Sequence, residues 1–482
     1  MSTISKIRDY FRVEHSSPTE KKLIFKLDFF ILTFCCLAYF MNYLDRASVT
    51  QAYVSGMKED LHFQGAQLTE VTTMYSVGYL IGIIPNNMLL TYFKPKRFFP
   101  FMIVVWALLT MCNAAATKPQ HLMAIRIFQG YAESCIFSGT QFVLGSWYTK
   151  SELGKRTGLF TASGLAGGMF GGFLQTGIYS SMNGLAGLPG WRWLYIIDGI
   201  ITLPVAAYGY FFFPDTPHTT TAPYFSDEEK RLAKERCPII EEVPIMSRSF
   251  VYKVFNSWYF YGFGLLWILG NCSESLGNQS LMNLYMQGHP ERHYTIYQLN
   301  NYPTGLQAVG IASTLIWATA TDIFGGRWVS GYYVATTAIC TAVILLVPTT
   351  TIAGQYAAYY WSGTIYCIQG TFFAWANDCM RNEPRTLRAV IIACMNFGGN
   401  VFQAWWPLIF YRADDAPEFT IGMYALIGVG TGMAIWVTVM LYMERRKAKK
   451  NPQIIEGVDN MSSDDIGRES IVGGLKDVDN KV

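Results

Sequence analysis

Ile125-Arg126-Ile127-Phe128-Gln129-Gly130 lies inside one long apolar stretch, and Ile365-Tyr366-Cys367-Ile368-Gln369-Gly370 lies inside another, 240 residues later in a chain of 482. A second echo follows each: Glu152…Arg156 after the first stretch and Glu383…Arg388 after the second. Matches in the same order at an offset of half the chain predict an internal repeat. The apolar setting predicts that each repeat crosses a membrane several times.

Working outward, apolar runs long enough to span a bilayer recur from residue 27 to residue 443. The chain is 51% hydrophobic and only 15% charged, against roughly 25% charged residues in soluble domains. Spans are predicted near 27–46, 68–92, 98–116, 120–146, 157–180, 191–213, 256–287, 297–320, 328–348, 352–376, 387–411 and 418–443. Strands are excluded, because an open sheet cannot satisfy its backbone in hydrocarbon. The expected fold class is an all-α membrane protein, with twelve transmembrane helices in two six-helix pseudo-repeat halves. The first apolar run is longer than a signal-peptide core and has no small-residue cleavage site, so it is expected to remain as the first helix.

Lys and Arg set the orientation. With both termini cytoplasmic, the inner segments hold 30 of the 37 Lys and Arg, and the outer loops hold 5: Arg46, Lys58, Lys118, Arg292 and Arg412. The expected organisation is a cytoplasmic segment over 1–26, a six-helix bundle over 27–213, a linker over 214–255, a second bundle over 256–443 and a disordered cytoplasmic tail over 444–482. Within the linker, Ser226-Asp227-Glu228-Glu229 precedes a basic run to Arg236, which predicts a short amphipathic helix capped by Ser226.

A charge at mid-bilayer costs at least ~2.5–3.5 kcal/mol, so intramembrane ionisable groups face a partner or water. Arg126 and Glu133 are seven residues apart, about two helical turns, with Gln129 and Gly130 between them on one face. They read either as a structural pair holding two helices together or as part of a transport site. Asn42-Tyr43-Leu44-Asp45-Arg46 closes the first predicted span, where Asp45 and Arg46 face either a cavity or the aqueous rim. Glu274 lies in Gly270-Asn271-Cys272-Ser273-Glu274-Ser275, a polar patch read either as a broken helix lining a cavity or as a solvated helix end. For Asp198 a structural partner is expected. The repeat replaces Arg126 by Tyr366 and Glu133 by Phe373. That places ion coupling and anion recognition in the first half and aromatic walls in the second. Trp375, Trp405 and Trp406 suit either stacking on a solute or an interfacial belt.

These residues resemble the major facilitator superfamily. Arg126…Gly130 matches its Arg-x-x-x-Gly pattern, and Asp322-Ile323-Phe324-Gly325-Gly326-Arg327 is a form of its loop signature. The equivalent loop of the first half, Lys94-Pro95-Lys96-Arg97, lacks the acidic residue. More narrowly, the chain is similar to the fungal allantoate permease group of anion:cation symporters. The matching stretches are Asn42-Tyr43-Leu44-Asp45-Arg46, Gly78-Tyr79…Ile84-Pro85-Asn86-Asn87, Gly145-Ser146-Trp147-Tyr148 and Gly190-Trp191-Arg192-Trp193. Glu133-Ser134-Cys135…Phe137-Ser138-Gly139-Thr140 and Asn300-Asn301-Tyr302-Pro303 look most like pantothenate transporters.

The resemblance implies the major facilitator fold and proton-coupled uptake of a small organic anion at the plasma membrane. The expected cargo is pantothenate or a similar vitamin carboxylate. Carried onto matching positions, Arg46 and Arg126 bind the carboxylate while Asp45 and Glu133 relay protons. Asn42, Gln129, Glu274 and Tyr366 complete the expected substrate-binding set. The expected partners are the organic anion, protons and the bilayer, with no nucleic acid and a monomeric chain. The alternatives are a carrier or exporter of another organic acid or fungal secondary metabolite, and a nutrient receptor that binds without transport. The fifth predicted span reads Gly164-Leu165-Ala166-Gly167-Gly168-Met169-Phe170-Gly171-Gly172 without the Gly-Pro signature of proton-antiporting exporters, which favours uptake. No catalytic constellation, phosphate loop or zinc-ligand spacing is visible, so neither an enzyme nor an ATP-driven pump is expected, and no cofactor or metal. The ten cysteines show no C-x-x-C spacing and read as packing residues.

Overall fold

The computed structural model describes residues 17–236, 248–278, 280–380, 383 and 385–450. The expected tail beyond 450 lies outside the described residues. Among the described residues the long elements are twelve helical rods. They are α1 Pro18–Asp60, α2 Gln67–Tyr92, α3 Pro95–Asn113, α4 over 119–147, α5 Lys150–Met182 and α6 Gly190–Phe212. The second set is α7 over 258–287, α8 over 296–324, α9 Trp328–Leu346, α10 over 352–379, α11 Arg385–Phe410 and α12 Thr420–Lys450. The chain divides into a large compact unit ending at Ala434 and a small one beginning at Ile435. The described part of the small unit continues α12 to Lys450.

Five helices are long and apolar enough, by length and composition alone, to cross a bilayer: Pro18–Asp60, Pro95–Asn113, Gly190–Phe212, Trp328–Leu346 and Thr420–Arg446. Several other rods are interrupted. α4 breaks at Ser134, whose Oγ donates to the Tyr131 carbonyl at 2.8 Å. Such back-bonding competes with the helix ladder and bends it. α7 divides at Glu274 into Trp258–Ser273 and Ser275–Asn278 and resumes as Leu281–Gln287. α10 passes through a tight 3-10 segment, Gly363–Cys367.

Helix pairing repeats with a period of six rods. α1 packs on α5 and α2 on α4; correspondingly α7 packs on α11 and α8 on α10. α5 against α8 and α2 against α11 join the halves. The rods bury polar groups and expose apolar ones, as in a chain whose outer solvent is lipid. Asp45, Glu133 and Asp198 are fully buried, while Phe101, Phe128 and Ile316 are each more than 60% exposed.

The α2–α4 contact depends on two glycines. A Cβ on Gly78 would stand 2.0 Å from the Ile127 carbonyl oxygen, and one on Gly130 would stand 2.1 Å from that of Tyr75. Both obstacles are backbone, so neither can swing aside. Gly130→Ala is therefore expected to push α2 and α4 apart and to cost about 1–3 kcal/mol by overpacking. Thermal unfolding of the purified protein checks this, and an unchanged midpoint would refute the close approach.

α1 is longer than the predicted span 27–46 at both ends. The sequence reading stopped where Asp45, Arg46, Ser48, Thr50 and Gln51 dilute the apolar run. In the fold those residues turn inward and the helix continues through them to a kink at Ser55–Gly56, where Gly56 takes φ +110°, with a short helical turn beyond it to Asp60. Asp45 and Arg46 thus sit at mid-rod rather than near its outer end.

The linker helix forms as expected over Asp227–Arg236. The Glu229 amide donates to Ser226 Oγ at 3.2 Å, and the Ser226 amide donates to Glu229 Oε2 at 2.8 Å, which is a capping box. Ion pairs fasten this helix to the first half: Lys26 Nζ to Glu229 at 2.7 Å, and Arg236 to Glu152 at 2.5 Å and Glu20 at 3.2 Å. Arg156 grips Asp28 with both edges, at 2.6 and 2.8 Å. The Glu152…Arg156 stretch thus ties the first half together at its linker end. Burial alone would raise the Glu229 carboxyl, but the Lys26 ammonium and the Ser226 groups together hold it below its ordinary value of 4.5. A depressed carboxyl contributes stability above that value and loses it as pH falls through its lowered one. The protection of the 227–236 amides against hydrogen exchange, taken relative to the intrinsic rate at each pH, is expected to be high at pH 6–7 and to fall below about 4.5. Glu229→Gln should show the reduced protection already at neutral pH.

Candidate functional site

Of the predicted residues, Arg46 of α1 and Arg126 of α4 line one small cavity, and Asn42, Asp45, Gln129 and Glu133 lie on the same two helices without lining it. Asn42, Asp45 and Arg46 come from α1, and Arg126, Gln129 and Glu133 recur at helical spacing along α4. α2 adds Thr72, Thr73, Tyr75 and Ser76. The cavity measures about 50 Å³ and is lined by Arg46, Arg126 and these four α2 residues, with Asn278, Gln403 and Pro407 from the second half.

Tyr75 organises the first-half wall. Its ring centroid lies 5.2 Å from the Arg46 guanidinium carbon and 5.9 Å from that of Arg126, distances at which a cation and a ring face attract. Its hydroxyl donates to Glu133 Oε2 at 2.5 Å. Asn42 Nδ2 donates to the same oxygen at 2.7 Å, and Gln129 Nε2 donates to Oε1 at 2.9 Å. Glu133 is therefore fully buried yet held by three neutral donors.

Arg126 and Glu133 show no hydrogen bond or ion pair to each other among the described residues; each bonds across to a neighbouring helix, as the structural reading expects, while Arg126 also lines the cavity. Arg126 Nη2 donates to the backbone carbonyl of Asp45 at 3.2 Å, and its buried Nε has no partner. Arg46 makes no hydrogen bond or ion pair among the described residues. Two guanidinium groups with spare donors thus share one wall of the cavity. No hydroxyl, amide or guanidinium donor reaches either oxygen of the buried Asp45 carboxyl, which lies instead against the carboxyl of Asp198. The zero exposure of Asp45 excludes the aqueous-rim reading. Asp198 has the structural partner expected of it: Ser48 Oγ donates to its Oδ2 at 2.7 Å.

Glu274 and Tyr366 stand one layer behind the lining. Glu274 is only 4% exposed, which excludes a solvated helix end. It accepts from Gln369 Nε2 at 3.1 Å and Asn278 Nδ2 at 3.4 Å, leaving buried Oε1 without a donor. The Tyr366 hydroxyl donates to Asn278 Oδ1 at 3.1 Å. The sequence echo acquires a physical content here. Gln129 and Gln369, the matching residues of the two motifs, each hold a buried glutamate. The second half, expected to supply aromatic walls, also buries an acid, Glu274. Trp375 packs edge-on against Phe263 at 5.7 Å and is 4% exposed, so it belongs to neither a belt nor the cavity wall.

Sequence reasoning missed Tyr75, Gln403 and the cavity role of Asn278. For α2 a signal was present: Thr69, Thr72, Thr73 and Ser76 form a polar stripe at helical spacing in an apolar span. Gln403 is a single polar residue in an apolar run and gives no such signal.

Residues 35–407 match the family model described as Major Facilitator Superfamily. The chain belongs to that superfamily. It is accordingly a membrane transporter and not an enzyme. The pantothenate transporter liz1 of Schizosaccharomyces pombe is 39% identical over 92% of this chain and 86% of its own length. The pantothenate transporter FEN2 of Saccharomyces cerevisiae is 38% identical over 94% and 91%. Among solved structures, a bacterial homologue of the human lysosomal transporter Spinster, inward-facing and unoccupied, superposes with a TM-score of 0.61. It shares 13% identity over 89% of this chain and 98% of that one, a likeness of fold alone.

Within the major facilitator frame, the loop signature of the second half contributes an ion pair, Arg327 Nε to Asp378 Oδ2 at 2.5 Å. The Asp322 side chain lies outside the described residues.

Proposed function

We propose that this transporter takes up pantothenate, or a vitamin carboxylate of similar shape, together with protons across the plasma membrane. Both termini are cytoplasmic in this reading. The observation that carries it is the pair of under-bonded guanidinium groups, Arg46 and Arg126, flanking Tyr75 on an interior cavity. A guanidinium fork matches a carboxylate bidentately. Pantothenate presents one carboxylate, one amide and two hydroxyls. The first group suits the arginines, and the neutral groups suit Thr72, Thr73, Ser76, Asn278 and Gln403. The names of the two relatives support the same cargo.

The buried acids divide the remaining work. Glu133 is satisfied by three donors and sets the geometry of Tyr75 and hence of both arginines. Asp45 has no hydroxyl, amide or guanidinium donor and lies against a second carboxyl, Asp198, and two buried carboxylates side by side are costly unless they hold a proton. Asp45 is the proton carrier: a proton settles its unbonded oxygens while Arg126, tethered to its backbone, engages the substrate.

A cavity of about 50 Å³ holds no more than a few waters, so the halves must separate to admit a vitamin. Three hydrogen bonds join the halves among the described residues: Asn300 Nδ2 to Ser55 Oγ at 3.0 Å, Thr176 Oγ1 to Asn301 Oδ1 at 2.7 Å, and the Ala413 amide to Thr69 Oγ1 at 3.0 Å. All three lie at the end opposite the linker helix. This pattern supports an inward-facing form sealed on the outer side. Uptake of labelled pantothenate, biotin, nicotinate and allantoate by cells lacking endogenous pantothenate uptake tests the cargo. Pantothenate is expected to enter fastest, and transport of another acid in its place would overturn the assignment.

A further inference from the structure

A second, charged cavity lies away from the transport site. It occupies about 310 Å³ between the α2–α3 turn and the end of α6, and is lined by Lys94, Lys96, Arg97, Tyr210, Phe211, Asp215 and Thr221. That volume is at the lower end of ligand-binding pockets, roughly 300–1,000 Å³.

Its charge is unbalanced. None of the side chains of Lys94, Lys96 and Arg97 makes an ion pair or hydrogen bond among the described residues. The one acid present, Asp215, is committed elsewhere. Its Oδ1 accepts from the Lys96 backbone amide at 3.1 Å, and its own carbonyl accepts from Trp147 Nε1 at 2.9 Å. Asp215 is 4% exposed and acts as a cap for the start of α3. The matching loop of the second half behaves differently, since Arg327 there is neutralised by Asp378. The acidic residue missing from Lys94-Pro95-Lys96-Arg97 therefore leaves a pocket with three positive charges against one negative.

The rim identifies the ligand's other end. Tyr210 is 57% exposed, Phe211 66% and Phe93 57%. Exposed aromatics beside a basic pocket at a helix end suit a molecule with an anionic head and an apolar tail.

We propose that this pocket binds the phosphate-bearing headgroup of an anionic phospholipid of the inner leaflet. The inference rests on the orientation given under Proposed function, which puts this end of the rods in the cytoplasm. Basic pockets between helices on that side recognise such headgroups, with each Lys or Arg near the surface contributing about fivefold in affinity.

The test uses the full chain in non-ionic detergent, titrated with dioctanoyl phosphatidylinositol 4-phosphate, dioctanoyl phosphatidylcholine or inorganic phosphate. Binding is read as dissociation constant and as shift of the thermal midpoint. The phosphoinositide is expected to bind and stabilise, less so as salt rises, and the triple variant K94Q/K96Q/R97Q should bind it about a hundredfold more weakly. Asp215→Asn keeps the acceptor for the Lys96 amide and removes a negative charge, so it should bind several-fold more tightly, a gain that misfolding does not produce. Equal binding by wild type and triple variant, or equal binding of phosphatidylcholine, would overturn the site. Inorganic phosphate matching the lipid would overturn the lipid and leave a soluble anion as its ligand. Pantothenate uptake by wild-type protein in phosphatidylcholine vesicles separates the two readings. Its presence without phosphoinositide binding counts against this pocket alone, and its absence counts against the transport reading alone.

Discussion

Arg126→Lys is expected to lower pantothenate uptake by roughly ten- to a hundredfold at unchanged expression, although the charge is conserved. A hydrogen bond to a charged group contributes about 1.5–3 kcal/mol. Lysine's ammonium, a compact point charge, lacks the planar fork, so it cannot both hold the Asp45 carbonyl and meet a carboxylate edge-on. The loss should appear chiefly as a raised KM, measured from initial rates of labelled uptake. A neutral, uncharged analogue bearing the same hydroxyls should be affected little. Normal uptake by the lysine variant would remove Arg126 from the carboxylate site.

The second large effect is expected at Asp45. Asp45→Asn should abolish accumulation of substrate against its gradient while leaving exchange of internal for external substrate within a few-fold of wild type. Asparagine keeps the shape and fills the buried position without needing a proton. Accumulation requires the carrier to return with its proton released; exchange does not. Counterflow in proteoliposomes, compared with gradient-driven uptake in the same vesicles, separates the two. Full accumulation by the variant would move proton carriage elsewhere, with Glu133 as the next residue to replace.

Much of this architecture was legible before any coordinates. The repeat showed itself through Gln129-Gly130 and Gln369-Gly370, because a buried glutamate in each half needs a donor that sequence can display. Helix count and order followed from apolar length, since hydrocarbon leaves the backbone few alternatives. The first helix was cut short for the same reason: a window that counts polarity cannot distinguish a polar residue facing lipid from one facing another helix. Glu133 was identified correctly as buried, but its partners were not. They come from α1 and α2, at separations of 91 and 58 residues, which no local pattern encodes. Tyr75 is the clearest case. Its polar neighbours on α2 marked the face, yet a tyrosine in an apolar span is an ordinary residue until two arginines are seen across its ring.

The division of labour among the three first-half acids also came only from geometry. Asp45, Glu133 and Asp198 look alike in sequence, each a carboxyl in an apolar stretch. Glu133 has three neutral donors, Asp198 has one from Ser48, and Asp45 has only the neighbouring Asp198 carboxyl. Donor supply determines what a buried carboxyl can do, and that supply is a tertiary property.

The most direct measurement is accumulation of labelled pantothenate by proteoliposomes containing only this protein, with the outside made acidic relative to the inside. The internal concentration should rise above the external one, and a protonophore should bring the two level. Uptake that stops at equal concentrations with or without the proton gradient, or tight binding with no entry at all, would contradict the account.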